Sequence, residues 1–309
     1  MRIQLISKDN GLGLTTDVQV LRTAIEKAAG AVGREVTIHY ADWQALRTID
    51  GGRYDLSIHL ELVSRSLWST ASRNIYVPNP EWYFSGMWGD LLPRFDEVWA
   101  KTEDCLRIFK PLHKRVVKSG WTSLDRYAPN VERIKSMIHV AGGSDVKGTM
   151  QVLQAMAKHP DLRLCLVVRS AEKFREVPAN VTRIIGPAND EMDYLLNVHM
   201  VHLCPSSYEG FGHYINEARS VAAFIITTNA PPMNELVSSS YGALVAAAST
   251  SRMRLAQAHH VHADALADAI GQVMGCGDGV LARLGGKARM AYLEGAQEFQ
   301  SFIGNRLFS

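Results

Sequence analysis

Short apolar runs of four to eight residues alternate with helix-patterned stretches along almost the whole chain, and this alternation limits the fold more than any other feature. "RIQLIS" (2–7), "EVTIHY" (35–40), "YDLSIHL" (54–60), "RNIYVP" (73–78), "DEVWAK" (96–101) and "KRVVKS" (114–119) form a first series. A helix from about Asp17 to Gly30 separates the first two runs. Near-continuous runs of this kind read as strands covered on both faces, and their alternation with helices implies parallel strands joined by crossovers. The polar, turn-rich stretch "SGWTSLDRYAPNVERIKS" interrupts the series, so a linker is expected at about 124–132. The alternation then restarts with "SMIHVAGG" (136–143), a helix over 147–159, and strands at 162–168, 181–186, 200–206, 222–229 and 242–247. Helices over 262–274 and from about Gly279 to Phe308 close the chain. The expected fold class is α/β: two doubly wound Rossmann-like domains, 1–127 and 132–289, facing each other across a cleft. A chain of 309 residues is long enough for two cores.

Composition narrows the function. A formal net charge of +2 gives no concentrated basic stripe, which argues against nucleic acid as a partner. Cys105, Cys165, Cys204 and Cys276 stand apart, with no C-x-x-C pair, as expected for reduced thiols. The opening "MRIQLISKDN" has no signal-peptide pattern, and no run reaches the ~18 apolar residues of a membrane span. A cytoplasmic location follows as an expectation. The basic run "RIFKPLHKRVVK" (107–118) reads first as a solvated face, with peripheral contact at the inner face of the cytoplasmic membrane as the alternative. "AHHVHAD" (258–264) carries three histidines without a thiol or carboxylate ligand pattern, so no metal is expected. Trp68, Trp82 and Trp88 are assigned to core packing, with sugar stacking as the alternative.

The chemistry concentrates in "SSYEGFGHYINEA" (206–218). Glu209 and Glu217 flank a glycine-framed turn, Gly210, Phe211 and Gly212, followed by His213 and Tyr214. A helix starting near Gly212 would present unpaired backbone N–H groups to an anion. The same residues also suit an ordinary strand–loop–helix junction with Glu209 as a cap.

The longer stretch "PSSYEGFGHYINEARSVAAFIITTNAPPMNEL" resembles the nucleotide-sugar site of retaining family 4-type glycosyltransferases of GT-B fold, with their Glu-x7-Glu motif and a further acidic residue at Glu235. The resemblance implies that Glu209 contacts the hydroxyls of the transferred sugar, that Glu217 contacts the ribose, and that backbone amides around Phe211, Gly212 and His213 face the sugar and diphosphate. "HVAGGSDVKGTMQVLQA" (139–155) is similar to the family's strand and glycine turn. It places Gly143 and Ser144 at the donor and Lys147 on the diphosphate. The arginine that many members carry before this lysine has no counterpart between His139 and Lys147; Lys118, Arg169 or a residue of the first domain are the substitutes considered.

In the first half the likeness is looser. "SKDNGLGLTTDVQVL" sits where the family has a glycine loop at the diphosphate and acceptor, implicating Gly11, Gly13, Leu14 and Thr15. A turn capped by Thr15, Thr16 or Asp17 is the alternative. "PNPEW" stands where relatives place a histidine, making Glu81 and Asn79 candidates for acceptor or sugar contacts, with Glu61 and His59 behind them. His59 also fits a satisfied structural histidine. The implied activity is retaining transfer of a sugar from a UDP- or GDP-linked donor to a carbohydrate or lipid-linked glycan acceptor in bacterial envelope or polysaccharide synthesis. It implies no cofactor, and a last helix, about 290–309, packed back on the first domain. Glu209, Lys147 and Glu81 are its catalytic candidates. A silent sugar-nucleotide-binding scaffold, a sugar-nucleotide epimerase and a pyridoxal-dependent phosphorylase stay open, as do the oligomeric state, sugar and base.

Overall fold

In the computed structural model, every residue is described except Leu12, Ile49, Asp50 and Ser144. Ser144, an expected donor contact, therefore lies outside the described residues. The chain divides into two compact units: Met1–Ser123 with Met253–Ala256 and Glu294–Ser309, and Leu124–Arg252 with Gln257–Leu293.

The first unit is built on β1 (Arg2–Ser7), β2 (Thr37–Asp42), β3 (Tyr54–Leu60), β4 (Ala71–Val77), β5 (Glu97–Ala100) and β6 (Val116–Lys118), in the order β2-β1-β3-β4-β5-β6. All five pairings are parallel. β3 is buried at every position but Asp55, as its unbroken apolar run requires. Helices α1 (Gly13–Ala31), α2 (Ser85–Trp88) and α3 (Glu103–Phe109) connect the strands. α1 buries Leu14, Asp17, Val20, Leu21, Ala24, Ile25 and Ala28, a stripe at helical spacing. It begins at Gly13 rather than near Asp17 because Leu14 belongs to that stripe. Asp17 is accordingly a buried residue on the inner face, not a cap. Thr102 caps α3 by accepting from Cys105 N (3.1 Å), with Glu103 and Asp104 in the first turn complementing the dipole.

The second unit contains β7 (Ile134–Gly142), β8 (Leu164–Val168), β9 (Val181–Ile185), β10 (His199–Cys204), β11 (Phe224–Thr228) and β12 (Gly242–Val245), in the parallel order β12-β11-β10-β7-β8-β9. Its helices are α4 (Thr149–Ala157), α5 (Asn189–Val198), α6 (His213–Ser220), α7 (Met233–Leu236), α8 (Ala263–Met274) and the start of α9 (Asp278–Phe308). The core between sheet and helices gathers Met137, Leu166, Leu203, Ile226, Val152 and Leu266. A two-stranded sheet of β13 (Ala247–Met253) and β14 (Ala256–Val261) was not expected. It accounts for the histidine-rich segment: His259 and His260 lie in β14, and His262 caps α8 by accepting from Asp264 N (3.3 Å). The end of α9 packs in the first unit, where Phe302 meets Trp99 edge-on, Phe299 meets Trp121, and Arg306 pairs with Glu97 at 2.9 Å.

Each sheet reverses its winding once, between β1 and β3 in the first unit and between β7 and β10 in the second. In doubly wound sheets the carboxyl ends of the strands at such a reversal are where ligands sit. Among the described residues, no helix is long and apolar enough to cross a membrane.

Candidate active site

In the second unit the loops leaving β7 and β10 are stitched together at the reversal. Ser207 N donates to Val146 O at 2.8 Å. After β7 the chain turns through Gly142 (φ 57°) and a short 3-10 turn, Asp145–Lys147, into Gly148. Gly148 has φ 71°, and a Cβ there would stand 2.3 Å from Pro205 O. Only glycine allows both the left-handed backbone and this approach.

That approach delivers Lys147 to the β10 loop. Its ammonium donates to Glu209 Oε1 at 2.6 Å and lies 3.8 Å from the centre of the Tyr214 ring. Ser206 Oγ also donates to Glu209 Oε1, at 2.5 Å. The one hydroxyl hydrogen of Ser206 is then committed, so Tyr214 Oη donates to Ser206, again at 2.5 Å. The chain of donors runs Tyr214 to Ser206 to Glu209 and holds the carboxylate through one oxygen. Ion pair and hydroxyl chain together fix Glu209 before any ligand arrives.

Gly212, with φ 100°, opens α6, and as a glycine it brings no capping side chain of its own. The first N–H groups and the dipole of α6 therefore face the Glu209 loop as a site suited to an anion. Phe211 and Tyr214 are buried, and the Phe211 ring meets His213 edge-on at 5.3 Å. Gly210 is buried in the same turn.

Glu217 lies just over one turn into α6. Burial pushes its carboxyl above the ordinary range, and the Arg126 guanidinium, with Nε 3.5 Å from Oε1, pulls it back. Arg126 also pairs with Asp193 at 2.8 Å. Sequence reasoning missed Arg126, which falls in the stretch read as linker.

His139, near the end of β7, is fully buried. Its Nδ1–H donates to Leu203 O (2.7 Å), so Nε2 accepts from Thr149 Oγ1 (2.9 Å). Burial lowers its pKa to about 4, and the neutral ring ties β7 and β10 to the first turn of α4. Of the cations considered in place of the missing arginine, Lys118 is engaged by Glu103 at 2.8 Å. Arg169 stands beside the glycine turn, its Cδ 3.8 Å from where a Cβ on Gly143 would be. Lys173, unforeseen, donates to Gly143 O (2.9 Å) and Asp145 (2.7 Å).

In the first unit the candidates separate. Gly13, Leu14 and Thr15 form the first turn of α1; Leu14 is buried, and Thr15 Oγ1 donates to Asp9 at 2.6 Å. Gly11 N donates to the same carboxylate at 3.2 Å. His59 is 0 % exposed: Nε2 donates to Asn74 (3.2 Å), Nδ1 accepts from Ser64 N (3.3 Å), and its pKa falls to about 4 through burial. It is a satisfied core histidine and touches no open surface. Glu81 is buried, so its carboxylate is not displayed to solvent.

Glu61 and Asn79 do come together. Asn79 Nδ2 donates to Glu61 Oε2 at 2.6 Å, and Asn79 Oδ1 accepts from Lys101 Nζ at 3.1 Å. Lys101 is ion-paired with Asp17 at 2.5 Å, and Asp17 accepts from Trp121 Nε1 at 2.7 Å. Sequence reasoning missed this buried pair because its members are 84 positions apart and carry no motif. Trp82 is half exposed, against the core assignment made for it; Trp88 is buried and Trp68 packs on the aromatic cluster around Tyr76 and Phe95.

Comparison with known proteins bears on the class. Residues 128–274 match the family model described as Glycosyl transferases group 1. No curated protein sequence matches. Among solved structures, the chain superimposes on HepE of Anabaena, determined with UDP and glucose, with a TM-score of 0.68 at 15% identity over 99% of this chain and 98% of that one. Sucrose-phosphate synthase of Thermosynechococcus elongatus gives 0.67 at 14% over 99% and 97%. A glycosyltransferase of Rickettsia africae gives 0.66 at 11% over 97% and 95%. The fold is that of the GT-B glycosyltransferases. The matched segment runs from just after Arg126 to the end of α8, and so holds Lys147, Glu209 and Glu217.

Proposed function

We propose that the protein transfers a sugar from a nucleoside diphosphate donor, UDP- or GDP-linked, to an acceptor hydroxyl with retention of anomeric configuration. The observation that carries this reading is the Lys147–Glu209 pair beside the glycine-opened start of α6, at the winding reversal of the second sheet. Lys147 and the α6 N–H groups supply preorganised positive charge for the departing diphosphate. Glu209, already oriented, accepts hydrogen bonds from hydroxyls of the moving sugar, and Glu217 does so from the ribose. The anomeric carbon–oxygen bond to phosphate breaks, the bond to the acceptor oxygen forms on the same face, and the acceptor's proton passes to the leaving phosphate oxygen. No protein nucleophile enters this scheme.

Arg169, beside the Gly143 turn, supplies the cationic charge that the missing arginine would give. The natural setting for such a donor is the cytoplasm, and the acceptor class is a carbohydrate or lipid-linked glycan of bacterial envelope or polysaccharide synthesis. Buried Glu81 and the absence of a histidine in "PNPEW" favour one second reading, a subunit that binds the donor without turning it over. Incubation with a panel of UDP- and GDP-sugars and glycan acceptors, with products read by mass spectrometry and anomeric proton NMR, separates the two. Transfer with retention is expected; inversion overturns the stereochemistry, and donor binding without any product favours the silent subunit.

A further inference from the structure

Glu217 is held from outside its own helix by Arg126, and Arg126 is itself fixed through its backbone. Arg126 N donates to Ser220 Oγ (3.1 Å), and Ser220 Oγ donates to Glu217 O (2.7 Å), which chains the two residues backbone to backbone. The Arg126 carbonyl accepts from Asn197 Nδ2 (2.7 Å), and Asn197 Oδ1 accepts from Ala128 N (2.9 Å). Beside it, both carboxylate oxygens of Asp125 accept from the Arg289 guanidinium, at 2.5 and 2.8 Å, and Arg289 also donates to Ser220 O at 2.9 Å. All of these residues belong to the second unit. The segment is thus docked on α5, α6 and α9 by bonds that do not use the Arg126 side chain. That side chain is left to lie between two carboxylates. Its Nη1 donates to Asp193 Oδ1 at 2.8 Å, and its Nε stands 3.5 Å from Glu217 Oε1.

Three basic side chains act on Glu217: Arg126, His213 one turn back on α6, and Lys147 from the turn after β7. Burial pushes the Glu217 carboxyl towards its neutral form, and Arg126 is the largest influence against that. The distinction matters for recognition. A carboxylate accepts from two neighbouring hydroxyls at once, whereas the neutral acid keeps a proton on one of its oxygens.

We propose that Arg126 is a positioning residue for donor recognition: it fixes the Glu217 carboxylate where the vicinal hydroxyls of a ribose both donate to it, so that the site selects ribonucleoside diphosphates over forms lacking those hydroxyls. Arg126 acts through Glu217 and contacts neither ribose nor phosphate. This role presupposes the ribose contact proposed above for Glu217.

Calorimetric titration with UDP and GDP, and with their 2′,3′-dideoxy forms, tests the role. The unaltered chain is expected to bind a ribose form more tightly than its dideoxy form by about tenfold or more, the worth of hydrogen bonds to a charged acceptor. Arg126→Met should cut that preference to below about threefold, as the buried carboxyl neutralises, and leave affinity for the dideoxy form unchanged. Arg126→Lys, which keeps the charge, should retain most of the preference. A merely structural defect, or a direct contact of Arg126 with phosphate, would weaken both forms alike. That result, or a preference that survives Arg126→Met intact, overturns the proposal. If Arg126→Met fails to fold, Arg126→Gln carries the same prediction, since it keeps a hydrogen-bonding side chain between the two carboxylates but no charge; an intact preference there overturns the proposal equally. Failure of the underlying reading looks different. An unaltered chain that binds nucleotide without preferring ribose removes the Glu217 contact, and one that binds none removes the donor site; either takes the role of Arg126 with it.

Discussion

Lys147 and Glu209 are 62 positions apart in the chain and 2.6 Å apart in space. Both side chains are largely shielded, so removing one leaves the other a poorly solvated charge. Replacement of either Lys147 or Glu209 by alanine is expected to lower transfer by roughly 100-fold or more, the scale on which a preorganised electrostatic group acts. The double variant should lose far less than the two losses multiplied, because the residues act as a unit. Multiplicative losses in steady-state kinetics would mean that the pair is incidental. Glu217→Gln belongs to a different step: nucleotide affinity, read by titration with UDP and GDP, should weaken about tenfold while turnover at saturating donor changes little. The Glu-x7-Glu spacing was legible because residue type and register lie close together in the sequence. The cations that the structure sets against each glutamate were legible unequally. Lys147 announces itself in "DVKGT", whereas Arg126 sits in a polar stretch that reads as linker and acquires meaning only when Glu217 folds against it.

At the scale of the elements, the two loops of the second unit are locked together at Gly148. A methyl group there would meet Pro205 O at 2.3 Å on a left-handed backbone. Gly148→Ala is expected to destabilise the protein by about 2–4 kcal/mol, from backbone strain together with the displaced loop. Urea unfolding checks this; an unchanged midpoint would show that the β7 and β10 loops move independently. The central strands of both sheets were readable because parallel strands buried on both faces leave unbroken apolar runs. α1 starts earlier than its apolar pattern suggests because Leu14, the first residue of the buried stripe, directly follows a glycine-rich turn that carries no helical signal. β13 and β14 escaped because "AASTSRM" is exposed at every inner position and holds no β-branched apolar residue, so its pairing with "AQAHHV" leaves little apolar signal.

For the whole molecule, four buried histidines set the acid limit of stability. His59, His139 and His199 titrate at about 4 and His202 at about 3, each lowered chiefly by burial. In the unfolded chain a histidine titrates near 6.5. The folded state thus binds fewer protons, and the stability it derives from these neutral rings is complete above pH 6.5 and is lost as pH falls from 6.5 towards 4. A loss of several kcal/mol over that window is expected at order of magnitude. Three of the four lie in the second unit, so that unit should melt first when acidified, as read by calorimetry at pH 7, 5.5 and 4.5. The two-unit α/β plan was legible from the repeated alternation alone. The Asp17–Lys101 pair was not, because nothing local marks two charges that meet only after β1, α1 and β5 have assembled. The winding reversal of the second sheet is expected to hold a nucleoside diphosphate. Calorimetric titration of the full chain with UDP, GDP and ADP tests it most directly. Binding of UDP or GDP at one site per chain, weakened at least tenfold by Lys147→Ala, is predicted; no binding of any of the three, or binding that Lys147→Ala leaves unchanged, would contradict the account.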